Sequence, residues 1–129
     1  METDKPRILI TEDDVENQRF FSMFLRKHFI TDICDSDESF YENLRSHKYD
    51  VILMDISLKG NKNGLELTHE LKSNPEFKDI PIVCLTAHAF KKDFENALIA
   101  GVDVFLTKPV DNHVLLQTLL DAAHNKKKS

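Results

Sequence analysis

Acids, a hydroxyl and an amine stand at the ends of apolar runs in this sequence. Glu12, Asp13 and Asp14 follow the run Arg7–Thr11, and Asp55 closes the run Val51–Asp55. Thr86 closes Ile80–Thr86, and Lys108 follows Val102–Thr107 directly before Pro109. If these groups converge, the carboxylates repel one another and need a cation. Lys108 offers one positive charge and a divalent ion offers more. Magnesium prefers oxygen ligands, keeps several waters and often takes only one or two carboxylates plus phosphate oxygens. Such a centre suits phosphoryl transfer, where the ion neutralises charge and aligns an in-line attack. Asp55 is then a competent nucleophile of the aspartyl-phosphate kind. The plainer role for an acid at a strand end is to cap the next helix. Asp14 is expected to do that. Capping is less convincing for Asp55, because a long loop follows it.

The elements that must position these groups read as five strands alternating with amphipathic stretches. The expected strands are Arg7–Thr11, Thr31–Cys34, Val51–Asp55, Ile80–Thr86 and Val102–Thr107. Several are nearly continuous in Ile, Leu and Val, the pattern of a parallel sheet covered on both faces. Between them, Phe20 and Phe24, Phe21 and Leu25, Leu115 and Leu119, and Leu116 and Leu120 recur at helical spacing. Phe90, Phe94, Ala97 and Leu98 form a further stripe. All are expected in the core, since helices on a sheet bury a stripe. Asp35 with Glu38 suggests a helix start, Asp93 and Asp111 suggest acidic first turns, and Gly101 suggests a helix end. The βαβαβαβαβα order implies a mostly parallel sheet between helices. In such folds the functional crevice lies at the carboxyl ends of the strands. That rule sends every group of the first paragraph to one edge.

Composition is consistent with one domain. The chain has 129 residues, room for one core and no second domain of ordinary size. The formal net charge of −5 disfavours direct nucleic-acid binding. No apolar run is long enough to span a membrane, and the N-terminus lacks the apolar core of a signal peptide, so a cytoplasmic location is expected. Cys34 and Cys84 lack metal or redox spacing and read as small buried hydrophobes.

The motifs Ile8-Leu-Ile-Thr-Glu-Asp-Asp14, Val51-Ile-Leu-Met-Asp55, Ile82-Val-Cys-Leu-Thr-Ala87 and Phe105-Leu-Thr-Lys-Pro109 come in the order found in receiver domains of two-component response regulators. The chain resembles that family over nearly its whole length. The resemblance implies a single-domain α/β, flavodoxin-like (βα)5 doubly wound parallel sheet, strand order 2-1-3-4-5, with a core over about residues 6–124. It implies Asp55 as phosphoacceptor and Asp13 as a direct Mg2+ ligand, with Asp55 itself on the same ion. Glu12 reaches the ion through water, and Ser57 offers a backbone carbonyl. Thr86 hydrogen-bonds the phosphoryl group, Lys108 pairs with it, and the Lys108–Pro109 bond is cis. Thr86 and Phe105 are the switch residues. Ser57 and His88 match positions that tune dephosphorylation, although His88 reads equally as an exposed residue at a helix start.

The resemblance also implies the partners. These are a sensor histidine kinase or histidine phosphotransfer protein, and a downstream protein reading the face of the fourth helix, fifth strand and fifth helix. Glu12-Asp-Asp-Val-Glu-Asn-Gln18 and Thr86-Ala-His-Ala89 resemble receivers of hybrid kinases and phosphorelays. Two features depart from the common pattern: Glu12 stands where many relatives have Asp, and the loop after Asp55 is one residue longer before Gly64. The module is expected to catalyse only its own phosphotransfer and slow dephosphorylation. Rival readings are a receiver acting by phosphorylation-independent contact, a small phosphohydrolase, and a flavin or nucleotide binder. The acidic loop after the first strand repels a phosphate unless metal intervenes, which weighs against the last.

Overall fold

The computed structural model describes residues 5–55, 64–86 and 91–128, and for residues 55, 91–94 and 126–128 it describes the backbone. The strands are β1 (Arg7–Thr11), β2 (Ile30–Cys34), β3 (Val51–Asp55), β4 (Ile82–Thr86) and β5 (Val104–Thr107). The helices are α1 (Val15–Leu25), α2 (Asp37–Ser46), α3 (Gly64–Lys72), α4 (Lys91–Ala100) and α5 (Asn112–Lys128). All strand pairs are parallel, in the order β2-β1-β3-β4-β5. This is a flavodoxin-like doubly wound sheet, with the strand order that the resemblance implied.

Alternation along the strands builds two apolar layers. Ile8, Ile10, Val51, Leu53, Val83 and Leu85 pack with Phe21 and Leu25 of α1 and Leu115 and Leu119 of α5. Leu9, Ile52, Met54, Ile82 and Cys84 pack on the other face with Phe40 and Leu44 of α2, Leu67 and Leu71 of α3, and Ala97 of α4. Both faces are thus sealed, which is why the strands read as continuous apolar runs.

Several expectations need correction. β4 starts at Ile82 rather than Ile80, since Pro81 has no N–H to give a ladder and offers its carbonyl to Ile52 N–H at 3.0 Å. β5 starts at Val104 rather than Val102, whose N–H still closes α4 on Ala97 O at 3.2 Å. β2 gains Ile30, whose N–H donates to Pro6 O at 2.9 Å. α2 is capped by Ser36 in a reciprocal box with Ser39, not by Asp35 with Glu38. Asp111 lies just ahead of α5, and its Oδ1 accepts from His113 N–H at 2.8 Å. Phe20 is 44% exposed and stacks on half-buried Phe24, because the buried stripe of α1 is one residue round, at Phe21 and Leu25. Leu98 is exposed, while its neighbours Ala97 and Ala100 on α4 are buried. Phe90 and the Phe94 side chain lie outside the described residues. Gly101 ends α4 as expected, at φ +103°.

Candidate phosphoacceptor site at the carboxyl edge of the sheet

Strand register brings the candidate groups together. Thr11 pairs with Met54, so Glu12 follows β1 at the level where Asp55 follows Met54 on β3. Asp55 pairs with Leu85, so Thr86 lies one residue beyond it on β4. Thr86 pairs with Thr107, and Lys108 comes next, its N–H donating to Thr86 O at 2.8 Å. With β3 between β1 and β4, Asp55 sits between the acidic loop and Thr86. Neighbouring strands lie about 4.8 Å apart, so these backbones share one small edge.

The acidic loop is held from several sides. Glu12 N–H donates to Cys34 O at 2.9 Å, continuing the ladder with β2. Glu12 is only 2% exposed, and its side-chain Oε2 accepts from Asp14 N–H at 3.2 Å. Gln18 of α1 donates its side-chain amide to Glu12 O at 2.6 Å. Asp14 caps α1, accepting from Asn17 N–H at 2.9 Å, the role expected of it. Asp13 is half-buried between these fixed points. Below the loop, the buried Thr11 hydroxyl donates to Leu53 O at 3.2 Å. Cys34 also lies under this edge. Burial first, and the Asp35 charge second, push its thiol up to about 12, so it stays protonated and offers no rival nucleophile.

On the other side, Thr86 is 3% exposed. Phe105 is half-buried against the layer formed with α2, α3 and α4. Phe105 pairs with Cys84, and Thr86 lies two residues beyond Cys84 on the same face. Lys108 is half-buried, and the Lys108–Pro109 bond is cis, as the resemblance implied. The Asp55 carboxylate, Ser57 and His88 lie outside the described residues.

The donor set fits a hard divalent cation. Oxygen is the ligand type at this edge, with the neighbouring acids Glu12 and Asp13 joined by the backbone to the end of β1. Among the described residues no three metal-ligating side chains gather, and the third acid of the set, Asp55, has its carboxylate outside them.

The sequence pattern of the response regulator receiver domain family matches residues 8–120. The chain belongs to this family. The receiver is 36% identical over 122 residues to hybrid signal transduction histidine kinase I of Dictyostelium discoideum, covering 88% of this chain but 7% of that protein. It is 31% identical over 113 residues to the polar-differentiation response regulator DivK of Brucella ovis, covering 87% of this chain and 91% of DivK. The receiver thus spans a small part of one relative and nearly all of another. Among solved structures it is similar to the receiver domain of a Pseudomonas aeruginosa sensor histidine kinase that has a magnesium ion coordinated in its active-site cleft. There the identity is 29% and the TM-score 0.83, covering 93% of this chain and 98% of that one. Receivers are signalling modules of two-component and phosphorelay systems rather than classical enzymes, and they work with histidine kinases or phosphotransfer proteins. No helix among the described residues is long and apolar enough to cross a membrane.

Reading the sequence by strand ends brought the acids, Thr86 and Lys108 to this edge but missed the bond from Gln18 to Glu12 O. Its signal was available: a polar residue one turn into a helix can reach back over the loop that starts the helix.

Proposed function

We propose that this receiver takes a phosphoryl group from a phosphohistidine onto Asp55 and thereby switches its binding to a protein partner in the cytoplasm. The observation that carries the reading is the register that aligns Glu12, Asp55, Thr86 and Lys108 along one edge of the sheet. Asp13, Asp55 and the Ser57 carbonyl hold Mg2+, with Glu12 acting through water. When bound, the ion neutralises charge developing on the phosphoryl oxygens. An Asp55 oxygen attacks phosphorus in line as the P–N bond breaks. The imidazole nitrogen keeps the electron pair of that bond and takes up a proton. The Lys108 ammonium pairs with the transferred group and the Thr86 hydroxyl donates to it.

The acyl phosphate brings added negative charge and new acceptor oxygens. Thr86 moves toward them, and Phe105, on the same face of the sheet, follows into the space. This biases the α4–β5–α5 face between two states that a partner distinguishes. Water then attacks phosphorus, releasing inorganic phosphate and restoring the carboxylate. Ser57 and His88 set how fast that happens.

The test is intact-mass measurement after incubation with acetyl phosphate, with and without Mg2+, beside Asp55→Asn. The expected result is one Mg2+-dependent phosphoryl adduct that the variant lacks. No adduct under any condition would leave a module that binds partners without phosphorylation. Retained stoichiometric labelling of Asp55→Asn would move the acceptor elsewhere.

A further inference from the structure

We propose that Gln18 is a positioning residue for the magnesium site, holding the acidic loop through the backbone carbonyl of Glu12. The inference rests on the reading of this edge as a metal-assisted phosphoacceptor and adds a residue to it.

The argument starts from the peptide between Glu12 and Asp13. A peptide unit is planar, so a bond that holds its carbonyl oxygen restrains the tilt of the plane and, through it, the next Cα. That next Cα belongs to Asp13, the proposed direct ligand. The Gln18 amide holds this carbonyl at 2.6 Å. The donor is unambiguous, because an oxygen at that place could not bond a carbonyl. Gln18 stands on the first turn of a regular helix, with its own N–H bonded to Asp14 O at 2.9 Å. The amide is therefore presented from a rigid support. On the far side, Glu12 N–H is tied to Cys34 O of β2. Helix and sheet together orient the two ends of Glu12, and Asp13 inherits its direction.

Groups that orient metal ligands without touching the metal typically change affinity when removed by about 10–100-fold. A bond serving only to pin α1 would change stability and leave metal affinity alone. The two roles are therefore separable by experiment.

Gln18→Met keeps side-chain length and helix propensity while removing the donor. Arg19→Met, at the exposed neighbouring position of α1, is the control. Mg2+ is titrated into the unphosphorylated proteins and followed by amide chemical shifts, with urea unfolding measured in EDTA. The expected result is a Kd for Mg2+ raised about tenfold in Gln18→Met and within about twofold of wild type in Arg19→Met. Acetyl phosphate labelling of Gln18→Met is then slow at low Mg2+ and recovers at saturating Mg2+. Gln18→Asn, one methylene short of the carbonyl, serves if Gln18→Met does not fold, and shows the same loss. A Kd within twofold of wild type in Gln18→Met or Gln18→Asn, or an equal loss in Arg19→Met, overturns the proposal. Failure of the wild-type protein to bind Mg2+ or take up phosphate is a different result. It removes the underlying reading, and this proposal with it.

Discussion

Replacing Tyr49 by phenylalanine deletes one oxygen from a polar knot at the amino-terminal side of the sheet. Tyr49 is buried with its hydroxyl donating to Asp32 Oδ2 at 2.7 Å and, more weakly, to Asn43 Oδ1 at 3.3 Å. Asp32 also takes the Arg7 Nε–H at 2.8 Å, and the Arg7 guanidinium lies 5.9 Å from the Tyr49 ring centre. Phenylalanine keeps the ring, so no cavity opens, and the loss is that of a hydrogen bond to a charged acceptor, about 1.5–3 kcal/mol. Asp32 keeps Arg7, which places the expected loss near 2 kcal/mol at pH 7, or a Tm drop of roughly 5–10 °C.

The penalty depends on pH. Burial alone would raise the Asp32 carboxyl, but the bonds from Arg7 and Tyr49 outweigh it and leave it below its ordinary value. The unfolded chain therefore takes the proton first as pH falls below about 4. The stability from Asp32 is present above that point and is lost as pH drops through the folded value. Tyr49 behaves in the opposite sense. Burial, then the bond to Asp32 and its charge, hold the phenol above its ordinary value. Its contribution is complete below about pH 10 and fades as pH rises. Urea unfolding of wild type and Tyr49→Phe across pH measures both limbs. The variant loses the alkaline limb from Tyr49 and shows a shallower acid limb. A penalty below about 0.5 kcal/mol at pH 7, or one unchanged after Asp32 protonates, refutes the reasoning.

Two further perturbations probe other parts of the molecule. Gly101→Ala sets a Cβ at φ +103° and 3.0 Å from Lys72 Cγ, so a loss of at least about 1 kcal/mol in urea unfolding is expected, and a neutral result would show that the turn relaxes freely. Cys34 is buried, and its thiol is pushed up to about 12; at pH 8 it should resist iodoacetamide in the folded protein and react on unfolding, with rapid native labelling counting against this placement.

The fold was readable because its strands are short and apolar on both faces and alternate with amphipathic stretches. β1 and β3 came out with the expected ends, while β4 and β5 came out two residues shorter. Those misses have local causes, at Pro81 and at the turn of Val102. Helix faces were less readable. Phe20 and Leu98 fit a helical period as well as their buried neighbours do, and only the direction of the sheet decides which stripe it covers. At the site, strand ends located the acids, Thr86 and Lys108, because register converts position along the chain into position along an edge. Gln18 was not readable that way. Its bond runs from a helix side chain to a main-chain carbonyl, so the sequence marks only the donor, a polar residue one turn into α1. The polar knot of Arg7, Asp32 and Tyr49 was hidden likewise, since its members are far apart in the chain.

The central place of β3 has a mechanical meaning. It is paired on both sides, by β1 and β4, and both its faces are covered. Asp55 and Thr86 thus close strands that are paired on both sides, whereas the acidic loop and Lys108 stand where the chain leaves the sheet. A phosphoryl group taken up at Asp55, as proposed, would rearrange the rim without loosening the frame that brings the rim together.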